Sequence, residues 1–290
     1  MNGKIKVGSR ESVLAIKQAE IVIEAIKKNN PNLEIELVTF KTKGDRILDR
    51  SLDKIGGKGL FIKELELALL NEHIDIAVHS YKDMPHEEVD NLPIVALSER
   101  ATPFDVLVLP KGIKEIDHSL PVGSSSQRRN LQFKAIYAEF KTAPIRGNVL
   151  SRLAKLDNGE FSALILAGAG LNRLNLQDRI TKTFTLEEMI PSASQGILAV
   201  QGRKGEDFSY LKDFHNKKSE IVSKVERQFL KTLDGGCTSP VAAYATVHFN
   251  QINLIGFYVN NSGNISKGHL SGKIEDAENI GRELALQLRN

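Results

Sequence analysis

The sequence has 290 residues but only one cysteine, no tryptophan and little excess charge. A lone cysteine cannot form an internal disulfide or a cysteine-based metal cluster, which excludes a disulfide-stabilised secreted scaffold. Lys and Arg number 39 against 36 Asp and Glu, too small a surplus for binding nucleic acid through bulk charge. No segment approaches the roughly 18 consecutive apolar residues of a membrane span, and the N-terminus lacks the apolar run of a signal peptide. We expect a cytoplasmic protein without nucleic-acid or membrane partners.

The first two-thirds of the chain alternates short β-branched runs with longer amphipathic segments. Strands are predicted over residues 5–7, 35–42, 74–78, 93–97, 106–109, 120–122, 142–145 and 163–166. Helices are predicted over residues 12–29, 60–71, 128–140 and 149–156. Such alternation is typical of parallel sheets flanked by helices, so we expect an α/β architecture.

The last third has a different pattern. It predicts a helix over residues 220–233, two strands over 241–249 and 252–259, and a final helix over 277–288. Asn250 and Gln251 are the expected hairpin turn between the two strands. These elements predict a small α+β unit at the end of the chain.

Polar clusters rich in arginine follow five of the predicted strands. In open α/β sheets, ligands bind beyond the carboxyl ends of the strands, where loops and helix N-termini meet. The arginines at these ends are Arg10, Arg128, Arg129, Arg146 and Arg173, with Arg152 one helical turn after Arg146. For a single arginine, a solvated position or a structural ion pair is the simpler interpretation. Five on one edge predict a polyanion site, with the balancing acidic residues spread elsewhere.

The run GSSSQRR at residues 123–129 is the most informative local signal. Its glycine and serines allow an anion to approach the backbone at the start of a helix, whereas a capped helix with a basic first turn is the alternative. Two other glycine-rich stretches, at 56–59 and 168–170, lack the spacing of a P-loop and of a dinucleotide site. A nucleoside triphosphatase or a nicotinamide enzyme is therefore disfavoured.

Asp83 and two lysines are further candidates for chemistry. Asp83 directly follows an apolar strand, where a carboxylate can exchange protons and stabilise a cation, although a turn aspartate is the alternative. Lys58 and Lys82 suit anion binding more simply than Schiff-base formation. His79 and His86 lack the spacing of a metal pair, so we expect no metal.

The single cysteine, Cys237, lies in a tight loop after Gly235 and Gly236. A free cysteine is more often a buried small apolar residue than a reactive one. The loop position, away from any apolar stripe, also leaves a nucleophilic or covalent-attachment role open.

Seven motifs in one collinear order resemble the porphobilinogen deaminase family, also called hydroxymethylbilane synthases. They are GSRES at 8–12 with Gln18, GGKGLF at 56–61, DIAVHSYKDMP at 75–85, GSSSQRR at 123–129, RGNV at 146–149, AGAGLNRL at 167–174 and GGC at 235–237. The resemblance implies a transferase of tetrapyrrole biosynthesis that condenses four porphobilinogen molecules into linear hydroxymethylbilane and releases four ammonia molecules.

The resemblance also implies a cofactor and roles for individual residues. Cys237 is expected to carry a dipyrromethane primer through a thioether, and Asp83 to be the catalytic carboxylate. The acetate and propionate groups of the pyrroles make the growing chain a polycarboxylate, which suits arginine. The implied cofactor- and substrate-binding residues are Arg10, Ser12, Gln18, Lys58, Ser80, Lys82, Ser124, Ser126, Arg128, Arg129, Arg146, Arg152, Arg173 and Gln195.

The family fold resembles two periplasmic-binding-protein-like α/β domains with a small third α+β domain. We accordingly expect domain 1 at residues 1–97 and about 195–214, domain 2 at 98–194 and domain 3 at 215–290, in a monomer. A non-catalytic small-anion-binding module of the same two-domain architecture is the alternative, and it would have no use for a cysteine facing the cleft.

The sequence departs from the family pattern at three positions. Ser194 stands where the family usually has glycine, Gln201 replaces a usual glutamate and Val13 a usual proline. Ser194 lies at the expected crossover between the first two domains, so it restricts the backbone where a hinge is expected.

Overall fold

The computed structural model describes residues 4–42, 62–87, 89–235, 240–260 and 262–289. The strands of a first sheet are β1 (Lys4–Arg10), β2 (Glu34–Phe40), β3 (Ile76–Ser80), β4 (Ile94–Leu97) and β10 (Leu198–Gly202). They lie in the order β2-β1-β3-β10-β4. β1 is parallel to β2 and β3, whereas β10 is antiparallel to both of its neighbours.

A second five-stranded sheet is built on the same plan. Its strands are β5 (Asp105–Val108), β6 (Val122–Gly123), β7 (Thr142–Ala143), β8 (Ala163–Ala167) and β9 (Lys182–Thr183), in the order β7-β6-β8-β5-β9. β6 is parallel to β7 and β8, but β5 is antiparallel to β8 and β9. The prediction of parallel sheets is therefore wrong in part. β5 and β10 run against their neighbours because the chain enters each of them from the other sheet rather than through a helical crossover.

Helices flank the two sheets, which confirms the α/β architecture. They are α1 (Val13–Asn29), α2 (Lys63–Leu70), α3 (Gln127–Ile136), α4 (Val149–Asp157) and α5 (Gly168–Arg173). Ser12, Ser126 and Asn148 cap three of them by accepting a hydrogen bond from a first-turn amide. α3 ends four residues before the prediction, because Tyr137 leaves the helical conformation. α5 forms directly after β8, where only a loop was expected.

A third, antiparallel sheet forms near the end of the chain and confirms the small α+β unit. It consists of β11 (Val241–His248), β12 (Gln251–Val259) and β13 (Ile265–Lys273), with α6 (Lys217–Thr232) before it and α7 (Ala277–Arg289) after it. His248 pairs with Gln251, so the hairpin turn is Phe249–Asn250, one residue earlier than predicted. Gly268 and Gly272 let α7 approach closely, because a Cβ there would lie 2.9 Å from Leu288 or Ile280.

The sequence pattern does not predict three strands, β9, β10 and β13, and the reasons for β10 and β13 are opposite. β10 is buried over its whole length, and a short apolar run does not distinguish a strand from a buried helix. β13 alternates between exposed and half-buried residues and has little apolar character, so only its pairing with β12 defines it.

The first sheet packs against the C-terminal unit through a shared apolar core. Tyr81, Leu97 and Ile197 from the first sheet and its loops lie in one buried cluster with Val225 and Phe229 of α6. α6 therefore contacts the loop at the end of β3.

Across the described ranges, no helix combines the length and apolar character needed to cross a membrane.

Two crossovers connect the first and second sheets, and both bind one buried carboxylate of α6. Glu226 is fully buried, and its two oxygens accept bonds of 2.8 Å and 2.6 Å from the guanidinium of Arg100, which lies between β4 and β5. Glu226 also accepts bonds of 2.7 Å from the amide of Ser194, between β9 and β10, and from that of Ala245 in β11. The C-terminal unit thus holds both connections between the sheets.

Candidate active site

The carboxyl end of β3 carries the aspartate that the sequence selects. Ser80 ends the strand, and a 3₁₀ turn over Tyr81–Asp83 follows it. Gln18 of α1 is buried, and its side-chain amide lies 2.9 Å and 3.2 Å from the Ser80 hydroxyl through Nε2 and Oε1. The predicted residues Gln18 and Ser80 therefore bind each other and fix α1 to the strand that presents Asp83.

Lys82, next to Asp83, reaches from the first sheet to the second crossover, the connection from β9 to β10. Its Nζ donates a 3.1 Å hydrogen bond to Oε1 of Gln195. The Gln195 Nε2 in turn donates 3.0 Å to Oδ1 of Asp105, at the start of β5. Burial lowers the pKa of Lys82, and the negative charge of Asp83 opposes this effect. The predicted site residues Lys82 and Gln195 thus belong to one chain of hydrogen bonds.

Asp105 is a site residue that the sequence interpretation missed. It is completely buried, and its carboxylate accepts bonds of 2.6 Å from Nη1 of Arg128 and of 2.7 Å from Nη2 of Arg129. Burial alone would raise the pKa of Asp105. The positive charges of the two arginines outweigh this effect and hold the pKa well below its ordinary value. The only signal in the sequence is an aspartate at the start of an apolar strand, which many turns share.

Arg128 and Arg129 are consequently structural ion-pair partners of Asp105. They are 5% and 8% exposed, and they also donate to the backbone carbonyls of Ile190 and Ile165. The expectation that the acidic residues balancing the site arginines lie elsewhere is wrong for this pair, because Asp105 lies between them. Two guanidinium groups against one carboxylate still leave a net positive charge at this position.

Arg152 lies within electrostatic range of Asp83, and also of Arg129 and Arg146. Burial lowers the pKa of Arg152 to about 10, the positive charges of Arg129 and Arg146 add to this, and the charge of Asp83 opposes it. The Arg152 Nε donates 2.8 Å to the carbonyl of Gly147, which orients the rest of its guanidinium. At least one cation of the second sheet, Arg152, therefore lies near the aspartate of the first sheet.

Arg173, at the end of α5, binds the second crossover. Its Nη2 donates 2.7 Å to the carbonyl of Gly196, and burial lowers its pKa to about 10. α5 also approaches α1, because a Cβ on Gly170 would lie 3.5 Å from Leu14. Arg173 thus lies where the two sheets come together, close to Gln195.

The predicted serines act as helix caps and turn acceptors. Ser12 accepts 3.3 Å from the amide of Ala15, and Ser126 accepts 3.5 Å from that of Arg129. The Ser124 hydroxyl is buried and accepts 3.3 Å from the Ser126 amide. The alternative interpretation of GSSSQRR, a capped helix with a basic first turn, is therefore realised, and the capped helix itself places the two arginines on Asp105.

Two predicted residues, Lys58 and Cys237, lie outside the described residues, so their contacts remain predictions. Arg10 ends β1 on the same edge as Ser80, and it is half-buried. Among residues that the structure describes, no group of three or more His, Cys, Asp and Glu side chains is placed to hold a metal ion. The site that the structure assembles is therefore one of a carboxylate and several cations.

Two family models together match most of the chain. The model described as "Porphobilinogen deaminase, dipyromethane cofactor binding domain" matches residues 5–210, and "Porphobilinogen deaminase, C-terminal domain" matches residues 221–290. The first covers both five-stranded sheets with their arginines, and the second covers the third sheet and most of α6. The expected cofactor of the family is thus named by the description of the larger match.

Curated relatives agree over almost the full length. The chain is 56% identical to porphobilinogen deaminase of Alkaliphilus oremlandii, covering 99% of this chain and 97% of the relative. It is 56% identical to that of Acetivibrio thermocellus (98% and 98%) and 53% to that of Ruminiclostridium cellulolyticum (99% and 98%). A solved substrate binding domain of a putative amino acid ABC transporter from Streptococcus pneumoniae is 15% identical, covering 78% of this chain and 96% of that one, with a TM-score of 0.44. The family models and these curated relatives give no support to a non-catalytic anion-binding module, and the chain belongs to the porphobilinogen deaminase family.

Proposed function

We propose that this chain performs the reaction of its family, the condensation of four porphobilinogen molecules into hydroxymethylbilane, in the cleft between the two five-stranded sheets. The observation that carries the proposal is the placement of Asp83. The turn after β3 of the first sheet carries this carboxylate, and Arg152, on a helix beside the second sheet, lies within electrostatic range of it. Arg152 in turn lies within electrostatic range of Arg129 and Arg146. A single carboxylate facing a cationic surface suits a substrate that carries carboxylates and loses an amine.

The donor groups around the cleft fit the dipyrromethane cofactor of the family. A dipyrromethane carries acetate and propionate groups, and half-buried guanidinium groups bind carboxylates with two parallel hydrogen bonds. When bound, the cofactor supplies the pyrrole carbon to which substrate units are added. We assign its attachment to Cys237 because the chain has no other thiol. Arg10, Lys58, Lys82, Arg146, Arg152 and Arg173 would hold the carboxylates of the cofactor and the substrate.

Asp83 would act on the reacting nitrogen atoms. Its carboxyl group donates a proton to the departing amine nitrogen of porphobilinogen, and the resulting carboxylate stabilises positive charge on the pyrrole nitrogen. Lys82, held by Gln195, keeps a cation beside this carboxylate.

The remaining residues support these groups. Asp105 holds Arg128 and Arg129, which supply positive charge from behind the cleft. Gln18 and Ser80 fix the strand that presents Asp83. Ser12, Ser124 and Ser126 hold the loops at the helix starts and would offer their hydroxyl hydrogens to ligand carboxylates.

We also propose the three-domain organisation expected from the sequence. The first sheet draws its strands from residues 4–97 and 198–202, the second from 105–183 and the third from 241–273, which supports domains at 1–97 with about 195–214, 98–194 and 215–290. A monomeric state, a cytoplasmic location and the absence of nucleic-acid binding stay predictions from the sequence.

The test uses intact mass spectrometry and steady-state turnover. Asp83→Asn should keep the mass of a two-pyrrole adduct while porphobilinogen consumption falls about 100-fold or more, because the amide cannot transfer the proton. Cys237→Ser should lack the adduct and be inactive. Asp90→Asn, which alters an exposed aspartate of the same sheet region, is the matched control and should behave like the parent protein. Undiminished turnover in Asp83→Asn would contradict the assigned role.

A further inference from the structure

Arg227, on α6 of the C-terminal unit, reaches the turn that carries Asp83. Its Nη1 lies 3.5 Å from the carbonyl oxygen of Tyr81 and 3.4 Å from that of Met84, and its Nη2 donates to the carbonyl of Pro85. Its guanidinium carbon also lies 4.3 Å from the centre of the Tyr81 ring. One side chain therefore contacts the backbone on both sides of Asp83.

The chemistry of Arg227 differs from that of an ordinary surface arginine. Within the described ranges, no carboxylate forms an ion pair with its guanidinium, so its directed contacts are the three carbonyls and the aromatic face. A planar fork can bind several carbonyls and stack on a ring at once, whereas an ammonium group cannot. The interactions of Arg227 are thus concentrated on the conformation of residues 81–85.

The turn is also held by the protein core. Tyr81 and Met84 belong to, or pack on, the apolar cluster that contains Val225 and Phe229 of α6. The Tyr81 amide donates 3.0 Å to the carbonyl of Ile197, and the Met84 amide donates 3.1 Å to that of Tyr81. Asp83 therefore lies in a short segment whose freedom depends on α6.

We propose that Arg227 is a positioning residue for the reaction, which fixes the backbone of residues 81–85 and thereby aims the carboxylate of Asp83. The proposal rests on the proposed function of Asp83. It also connects Asp83 with the proposed attachment residue Cys237, because α6 ends at Thr232, shortly before Cys237 in the sequence. The helix that leads to the attachment residue is then the same helix that sets the position of the acid.

Arg227→Met tests this proposal, because methionine keeps apolar contact with Tyr81 but removes the donors. We expect kcat to fall about 10- to 100-fold, as for other small misplacements of a catalytic group, with less than about a twofold change in KM and an unchanged cofactor mass. Hydrogen exchange at the Met84 amide should become faster. Arg227→Lys keeps the charge but not the planar guanidinium group, so its kcat should lie between those of the parent protein and of Arg227→Met. Lys231→Met, an exposed cation on the same helix, is the matched control and should match the parent protein.

A second background separates positioning from a general loss of structure. In Asp83→Glu, whose longer side chain already displaces the carboxyl group, Arg227→Met should lower kcat by less than about twofold, because two changes that act through one group do not add. If Arg227→Met lowered kcat equally in the parent and in the Asp83→Glu background, the proposal would be overturned. It would also be overturned if Arg227→Met kept both the kcat and the Met84 amide exchange rate of the parent protein. If Asp83→Asn kept full turnover while Arg227→Met still accelerated exchange, the role of Asp83 would be wrong and the backbone contact right.

Discussion

At the scale of single residues, Asp105 determines how two site arginines are held. Its carboxylate is fully buried and accepts hydrogen bonds from Arg128, Arg129 and Gln195. A buried charge is stable in a protein only when it is paired and hydrogen-bonded, so each member of this group depends on the others. The arginines approach the cleft with orientations that Asp105 sets.

Asp105→Asn should therefore be strongly destabilising although it preserves shape. The amide leaves two buried guanidinium groups without a counter-charge, so the free energy of unfolding should fall by about 3–5 kcal/mol. Denaturant unfolding of the two proteins measures the difference. Asp157→Asn is the matched control, since Asp157 pairs with Arg179 near solvent, and we expect a loss of about 1 kcal/mol or less. Similar stability of Asp105→Asn and the parent protein would refute the argument.

The site shows which residues a sequence can reveal. Arg10, Arg146 and Arg173 could be selected as candidates because each lies at the end of a predicted strand or in the segment that follows one, and the ends of parallel strands share an edge. Asp105, Glu226 and Arg227 were not predictable. Their partners are distant in sequence, as for Arg227 and Pro85, which are 142 residues apart, and no local pattern records such a contact. Local signals therefore find the residues that face a ligand better than those that hold them.

At the scale of elements, the second crossover contains backbone strain. Ser194 has a φ of +60°, in the left-handed region where a residue with a Cβ is disfavoured. Its hydroxyl is buried and has no hydrogen-bond partner among the described residues. A glycine at this position would relieve both features, so Ser194 lowers the stability of the second crossover.

Ser194→Gly should accordingly stabilise the protein. Relief of the left-handed conformation is worth about 1–2 kcal/mol, and the greater freedom of glycine in the unfolded chain offsets about 0.5–1 kcal/mol of it. We expect a net gain of about 1 kcal/mol in the free energy of unfolding, measured by denaturant titration. Gly196→Ala, two residues away, is a control of opposite sign, because φ is +93° and a Cβ would lie 2.6 Å from the Ala101 carbonyl. A loss of stability in Ser194→Gly would show that the strain argument fails.

The elements also differ in how far the sequence determines them. α1 and α4 combine a capping side chain with apolar residues at helical spacing, so both were predicted almost to the residue. The direction of β5 and β10 depends instead on how the chain passes between the sheets, and β13 depends on β12 for its pairing. Local spacing thus determines helices, while tertiary connections determine strand direction.

At the scale of the whole molecule, Glu226 joins all three sheets. Arg100 belongs to the connection that leaves the first sheet, Ser194 to the connection that returns to it, and Ala245 to the third sheet. A rotation of one α/β sheet against the other must pass through these two connections. The C-terminal unit, which contains Cys237, is therefore placed to restrict or follow that motion.

Glu226→Gln tests how strongly the three parts depend on this carboxylate. The carboxylate accepts four hydrogen bonds, two from Arg100 and one each from the amides of Ser194 and Ala245. An amide has one acceptor oxygen, so its NH₂ group must face donors and the Arg100 charge loses its partner. We expect the free energy of unfolding to fall by about 3–5 kcal/mol and the Ser194 and Ala245 amides to exchange faster. Glu220→Gln, an exposed position on the same helix, should change stability by about 0.5 kcal/mol at most. If both variants behaved alike, the two crossovers would have to be held by their apolar contacts, and Glu226 would not couple the C-terminal unit to them.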